Sequence, residues 1–503
     1  MTKKSLAVLG LDAMNSVYFE KLLDSGIMPY TKHLIEKSLI KNLRAFPPMT
    51  PPSWSSIMTG VNPGKHGIYG FFHYSRRTLS QRLYNALDLK QPRIHEMLSI
   101  LGYKSIVFNP IPDYPLIPVR SAEILSNLFF TPKPVSYPAS IYDFYFRGSN
   151  PIEHTKDMTC NLLNDYVNVV NLYLHAVEKA LQTDHSLIWI TLNIPDIFFH
   201  RCPKILTEKS VSNEERNVFG LIDKLIKMLD EEHDSIIIVS DHGFARYDKT
   251  IGVNDILIQH GFARASKNKG LSTIQDYKIR EGFIKPINFN QVKINPRTYV
   301  FLKKTRLNKI ARILVKAYQK ITGKKIVVST SLSIDPELSL AFLDNHAYGI
   351  YVKNRSIIKE LYAVLEKYKH YLDVFDPESL YNGPYINEGP DIMVFPKFDE
   401  GYTMSSNLIG APLLRGEYYA HHPLGIFAVK SDEIDKNYCS ETTVIPNHAV
   451  AQVALHVMGL PLPSNRDHAG CFEELFRGDK SYNYTGKWSL LMKVQRARKK
   501  MGR

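Results

Sequence analysis

The stretch Leu6-Ala7-Val8-Leu9-Gly10-Leu11-Asp12 decides the fold. Six apolar residues closed by a carboxylate have no polar face to turn to solvent. The run therefore predicts a strand covered on both sides, as in a parallel sheet. Two further runs repeat the pattern: Leu187-Ile188-Trp189-Ile190-Thr191-Leu192 runs on to Asp196, and Ile236-Ile237-Ile238-Val239-Ser240 ends on Asp241. In open α/β sheets the ligand sits beyond the carboxyl ends of the strands. Three carboxylates delivered there repel one another unless positive charge lies between them. His200 and His242 follow two of them closely. The pattern points to a metal site with more than one ion, and so to a metallohydrolase.

Outward from these runs, strand and helix signals alternate. The strand at 6–12 precedes a helical pattern over 18–36, then a loop carrying Pro47, Pro48, Pro51 and Pro52. Helix over 94–101 leads to strand 105–108, helix 164–181 to strand 186–192, and helix 214–230 to strand 236–240. This βαβ rhythm predicts a mostly parallel sheet between helical layers. It fails from about 263 to 414, and resumes at 424–430 and in a helix over 447–458. The expected organisation is an α/β metallohydrolase core over residues 1–262 and 415–480. An inserted α+β cap or substrate lobe would cover 263–414, and a basic tail 481–503.

A chain of 503 residues can bury a large core, and 44% hydrophobic with 22% charged residues is ordinary for a globular protein. No apolar run reaches the length of a membrane span, and Met1-Thr2-Lys3-Lys4 enters the first strand too soon for a signal peptide. Cys160, Cys202, Cys439 and Cys471 are scattered without a CxxC pair, which suggests neither a disulfide framework nor a thiolate metal site. The expected location is cytoplasmic. The net charge of +14 favours an anionic substrate or surface. Much of the excess sits in 303–325 and 487–503, both with apolar residues at helical spacing. Such helices either pack on their own domain or lie against an anionic membrane, which would make the protein peripheral to it. No nucleic-acid-binding motif accompanies the charge, so specific nucleic-acid binding is not expected.

Asp196 and His200 stand four residues apart, on one face if the chain turns helical after the strand. Asp241 and His242 share a strand end, Asp12 adds a third carboxylate, and His421 or His422 could complete the set. Oxygen and nitrogen donors without thiolate suit zinc, with manganese or iron as alternatives. A lone Asp-His pair at a strand end is more often structural. The recurrence at several strand ends makes the case. The loop from Phe46 to Gly60 supplies a nucleophile: Thr50 and Ser53 stand at the start of a helix, where free amides and the dipole favour phosphate. The plainer role for both is helix capping.

With these residues in view, the chain resembles the alkaline phosphatase superfamily, and within it the type I phosphodiesterase/nucleotide pyrophosphatase family. The resemblance is carried by Leu9-Gly-Leu-Asp12, Pro48-Met-Thr50-Pro-Pro-Ser-Trp54, Met58-Thr-Gly-Val-Asn-Pro-Gly-Lys-His-Gly-Ile68, Asn193-Ile-Pro-Asp196 with His200, Val239-Ser-Asp241-His242-Gly243 and His421-His-Pro-Leu-Gly-Ile426. It spans the core in order and fades between 263 and 414. It implies an alkaline-phosphatase-like fold and two divalent ions, zinc foremost. One ion would be held by Asp196, His200 and His421, the other by Asp12, Asp241 and His242 with Thr50 as ligand and nucleophile. His421 is preferred to His422 for its spacing to Gly425. The implied reaction is hydrolysis of phosphodiester or pyrophosphate bonds through a phospho-threonine intermediate.

One departure concerns the substrate. Nucleotide pyrophosphatases of the family carry a phosphate-contacting asparagine shortly after the His-Gly-Ile motif, where this chain has Phe71. The departure weakens the case for nucleotides and leaves a small-molecule or lipid phosphoester. Ser53, Phe71 and His73 are the candidate substrate-binding residues. Sulfatases need a CxPxR-like motif that Cys202-Pro203 does not supply. Two other readings stay open: a phosphotransferase that passes the phosphoryl group to a lipid or glycan acceptor at a membrane, and a non-catalytic binding protein.

Overall fold

The computed structural model describes residues 4–500 apart from 76–77, 79, 127–133, 150–161, 267–290, 295–324, 329–332 and 406. Its centre is a nine-stranded sheet. In chain order the strands are β1 (Leu6–Leu11), β2 (Leu39–Arg44), β3 (Ser105–Phe108), β4 (Ala122–Ser126), β5 (Val135–Tyr137), β6 (Leu187–Leu192), β7 (Ser235–Val239), β8 (Leu424–Lys430) and β9 (Val444–Pro446). Their spatial order is β9-β2-β8-β7-β1-β6-β3-β4-β5. The five strands β7-β1-β6-β3-β4 run parallel, whereas β8 and β5 are antiparallel to their inner neighbours.

Every residue of β1 is buried because alternate side chains serve opposite layers. Ala7, Leu9 and Leu11 face one core together with Ile188, Ile190, Ile236 and Ile238, while Leu6 and Val8 face the other with Leu187, Trp189, Ile237 and Val239. The helices that matter for the site are α1 (Ser16–Asp24), α2 (Pro29–Glu36), α3 (Thr50–Thr59), α4 (Leu162–Ala180), α5 (Asp196–Arg201), α6 (Asn213–Glu231) and α7 (Ala449–Val457). Helices α1, α2, α4 and α6 cover the first face, α3 and α7 the second. The two-sided burial expected of the three apolar runs is thus met. The single helix expected over 18–36 is two helices, broken where Gly26 adopts a positive φ of 69° that an L side chain would resist.

Within 341–396, strands Ala341–Asp344, Gly349–Val352, Leu372–Phe375 and Ile392–Pro396 form a separate four-stranded sheet with its own aromatic core. The basic stretch at 303–324 lies outside the described residues. The C-terminal helix Tyr484–Lys500 packs on the core: Trp488 donates to Glu96 Oε1 at 3.1 Å, and Met492 sits with Ala86 and Ile117. Among the described residues no helix is long and apolar enough to cross a membrane. One expectation fails: Cys202 is disulfide-bonded, which the sequence does not announce because no neighbouring cysteine signals a pair. Cys439 and Cys471 are free thiols.

Candidate active site

The carboxyl edge of the central sheet is assembled by backbone first. The amide of Asp12, the residue after β1, donates to Leu192 O at 3.0 Å, and the amide of Asp196 donates to Asp12 O at 2.9 Å. The ends of β1 and β6 are thereby fixed to each other. Asp241 follows β7, and the Ala13 amide donates to its Oδ1 at 3.2 Å. Ala13 holds a φ of 63°, so the chain turns sharply as soon as it has delivered Asp12. His421 comes from far along the sequence. It lies on strand Leu413–His422, whose antiparallel pairing with Gly243–Ile251 sets Phe244 opposite His421.

The side chains converge. His242 Nε2 lies 3.3 Å from Asp241 Oδ2, 3.7 Å from Asp12 Oδ1 and 3.3 Å from Thr50 Oγ1. Asp196 Oδ1 lies 3.4 Å from both His200 Nε2 and His421 Nε2, and those two nitrogens are 3.1 Å apart. The His242 and His421 rings stack at 4.0 Å and join the two groups. All seven residues proposed from the sequence as metal ligands or nucleophile meet here. His422 does not: its ring turns away, accepting from the Leu424 amide at 3.2 Å and lying 3.9 Å from Asp399.

A pattern of tied and free atoms tests whether these residues suit a cation. His242 Nδ1 lies 3.0 Å from Gly243 O and His421 Nδ1 3.0 Å from Pro48 O. A carbonyl only accepts, so each Nδ1 carries the proton and each Nε2 presents a lone pair to the centre. Asp12 Oδ2 accepts from the Trp54 indole at 3.4 Å and Asp241 Oδ1 from Ala13, while Asp12 Oδ1 and Asp241 Oδ2 are buried without a hydrogen bond. Buried carboxylate oxygens left in this way are costly unless a cation meets them. Asp12 is pushed well above the usual carboxylate range by burial and by Asp241 and Asp196; Asp241 is raised by burial and by Asp196. Burial, with His421 beside it, drives His242 down. For Asp196 burial raises the pKa, but His200 and His421 outweigh it and the carboxyl is held low. The donor set therefore fits divalent cations, with oxygen and imidazole ligands and no thiolate.

Thr50 opens α3 with its side chain buried against His242. Here one sequence expectation needs correction. The free amides anticipated around Thr50 and Ser53 are largely missing, because Pro51 and Pro52 have no N–H and the Ser53 amide is bonded to Met49 O. Of the first four residues only Thr50 keeps an uncommitted N–H. Ser53 is also no free phosphate ligand, since its Oγ donates to Asp241 O at 2.5 Å and accepts from Asn447 Nδ2 at 3.0 Å. Phe71 and His73 lie along the side of the smaller sheet, with Phe71 5.5 Å from the His346 ring and His73 5.5 Å from that of Tyr84. Trp54, Asn447 and the Pro48 carbonyl were not foreseen as supports of the site. Trp54 alone had a signal, its place in the loop beside Thr50.

The sequence profile of the type I phosphodiesterase/nucleotide pyrophosphatase family matches residues 6–369. The chain belongs to this family. It is accordingly an enzyme of a metal-dependent class whose members cleave phosphodiester or pyrophosphate bonds. The match ends ahead of His421, which enters the site through strand pairing. Among solved structures, phosphonoacetate hydrolase from Sinorhizobium meliloti 1021 in complex with phosphonoformate aligns with a TM-score of 0.54 at 16% identity, over 91% of this chain and 96% of that one. An inactive variant of murine ectonucleotide pyrophosphatase/phosphodiesterase 5 in complex with AMP aligns at 0.50 and 13% identity, over 92% and 98%. At such identities the likeness shows the fold, which is that of the alkaline phosphatase superfamily. No curated protein matches the chain by sequence.

Proposed function

We propose that the protein is a two-metal phosphodiesterase or pyrophosphatase in which Thr50 is the nucleophile. The observation that carries this reading is the buried Thr50 hydroxyl, 3.3 Å from His242 Nε2, beside a cluster of three aspartates and three histidines of which Asp12, Asp241, His242 and His421 are buried and His200 is open to solvent. Asp196, His200 and His421 would hold one ion, and Asp12, Asp241 and His242 the other, with Thr50 at its edge. The donor chemistry favours zinc, with manganese or iron able to use the same ligands. Bound metal supplies positive charge that acidifies a hydroxyl and offsets charge on the phosphoryl oxygens.

The chain's own residues set the geometry. Helix α3 holds Thr50 Oγ1 against His242 at the cluster, so that it would attack phosphorus while the leaving oxygen departs on the opposite side. The product is phospho-threonine, which water then hydrolyses to regenerate the hydroxyl. Asn447, Ser53 and Asp241 O form a continuous hydrogen-bonded line that fixes α3 to the end of β7. With the first-turn amides removed by proline, phosphate recognition falls to the cluster itself and the Thr50 N–H. Residues 263–414 we assign as a cap over the core, with the four-stranded sheet as its frame. The substrate is a small phosphoester, and nothing favours a lipid or glycan acceptor over water.

The test is metal content measured together with hydrolysis of bis-p-nitrophenyl phosphate and p-nitrophenyl phosphate, for wild type and Thr50→Ala. At least two ions per chain, the same number in both proteins, with diester cleavage lost in the variant, is the expected result. Intact cleavage by the variant would overturn the assignment.

A further inference from the structure

The amino-terminal edge of the sheet carries a second pair of facing histidines. His185 stands two residues before β6 and His233 two residues before β7. Strand β1 lies between β6 and β7, with Leu6 in register with both Leu187 and Ser235, so the pair bridges the start of β1. Their Nε2 atoms are 3.0 Å apart. A six-residue strand rises about 20 Å, so this pair is remote from Thr50.

The tautomers make the contact informative. His185 Nδ1 lies 2.8 Å from Thr183 O, and His233 Nδ1 lies 2.8 Å from Leu229 O. Both partners are carbonyls and only accept, so both Nδ1 atoms carry the hydrogen. Each neutral ring is then left with a lone pair on Nε2, and the two lone pairs point at each other. Two acceptors at 3.0 Å repel unless a cation stands between them. A proton is one such cation, but burial works against it: His185 is lowered, and His233 is pushed down to about 4.

The geometry suits a metal ion. Two imidazole nitrogens at about 2.05 Å from a tetrahedral zinc stand about 3.3 Å apart, a few tenths of an ångström beyond the observed spacing. The His200–His421 pair at the opposite edge of the sheet has a similar arrangement, with Nε2 atoms 3.1 Å apart and ring centroids 5.2 Å apart. The His185–His233 centroids are also 5.2 Å apart. Asp184, Glu123, Asp230 and Asp234 add a negative field around the pair. Each is already engaged, with Lys104, Tyr145, Lys430 and Ser5 respectively, so they act on the pair through their field and not as direct hydrogen-bond partners.

We infer that His185 and His233 form an additional binding site for a divalent metal of the zinc, nickel and copper class, coordinated through both Nε2 atoms. Solvent reaches the half-buried His185 side and supplies the remaining ligands as water, while His233 is buried. The bound ion clips the turn before β6 to the turn before β7 across the start of β1. It is a structural ion, because it binds the folded chain and stabilises it by mass action. The inference stands on these two residues and does not depend on the catalytic assignment.

The experiment is a Zn2+ titration of chelator-stripped full-length protein against a competing metallochromic dye, on wild type, His185→Gln and His233→Gln. Each variant is expected to bind one equivalent fewer than wild type. Zinc should raise the Tm of wild type more than that of either variant, and diesterase activity of the zinc-loaded variants should be unchanged. Equal stoichiometry in wild type and both variants overturns the site. The Tm of the zinc-free forms reports folding, and His185→Gln, at the half-buried position, guards against a variant that fails to fold. A pair that takes no zinc and instead titrates as a shared proton by NMR also overturns it.

Discussion

The two edges of the central sheet hold nearly the same pair of imidazoles and differ in everything around them. At the carboxyl edge, His200 and His421 face each other at 3.1 Å beside Asp196, with Asp12 and Asp241 at the ends of adjacent strands. At the amino edge, His185 and His233 face each other at 3.0 Å, and the nearby carboxylates are all committed elsewhere. An imidazole pair is therefore enough to invite an ion but not to build a reaction centre. What distinguishes the carboxyl edge is unspent charge: carboxylate oxygens buried without hydrogen bonds, and a hydroxyl held against the His242 ring among them. Parallel strands produce that asymmetry, because their carboxyl ends open onto the turns that deliver Asp12, Asp196 and Asp241 together.

The largest difference between the two edges is expected at Thr50. Thr50→Ala should lower kcat for a diester by at least about 10³-fold, the scale of losing a nucleophile. Its metal content should stay within one equivalent of wild type. A rate within tenfold of wild type would place the chemistry elsewhere.

Removing metal should separate the two edges by pH. In the metal-free protein Asp12 and Asp241 have raised pKa values, so above about pH 4, the unfolded value, the folded state holds more protons than the unfolded one. These two groups then lower stability as pH rises towards their folded values, and metal bound in place of the protons removes that loss. The gain in Tm on adding zinc should accordingly be larger at pH 7.5 than at pH 5. A gain that shrinks with pH would contradict the carboxylate-rich site.

Trp54→Phe sharpens the account of Asp12. It keeps the packing and removes the indole donor to Oδ2. The expected result is metal affinity weakened about 10- to 100-fold, as for other supports of ligands, with Tm nearly unchanged. Unaltered affinity would reduce Trp54 to packing alone. A smaller effect is expected beneath the same contact. A Cβ at Gly10 would come within 2.4 Å of the Trp54 ring, so Gly10→Ala should cost about 1–3 kcal/mol by urea unfolding.

Much of this was legible in the sequence, for a physical reason. A strand buried on both faces must be apolar throughout, so β1, β6 and β7 stand out, and the carboxylates that end them stand out by contrast. Thr50, Asp196, His200, Asp241 and His242 could be placed because each lies within a few residues of such a strand or of a proline-marked helix start. His421 was legible only through its family motif. Its approach depends on pairing with Gly243–Ile251. The supports were illegible: Asn447 reaches Ser53 across the fold, and the Pro48 carbonyl fixes the His421 tautomer. The amide donors expected at α3 were misjudged because Pro51 and Pro52 occupy the first turn. His185 and His233 lie in turns, carry no motif, and meet only because β1 inserts between β6 and β7.

The most direct measurement is anomalous diffraction at the zinc edge from crystals grown with zinc. The account predicts two peaks among Asp12, Thr50, Asp196, His200, Asp241, His242 and His421, and one between His185 and His233. Crystals with no peak at the carboxyl edge would contradict it.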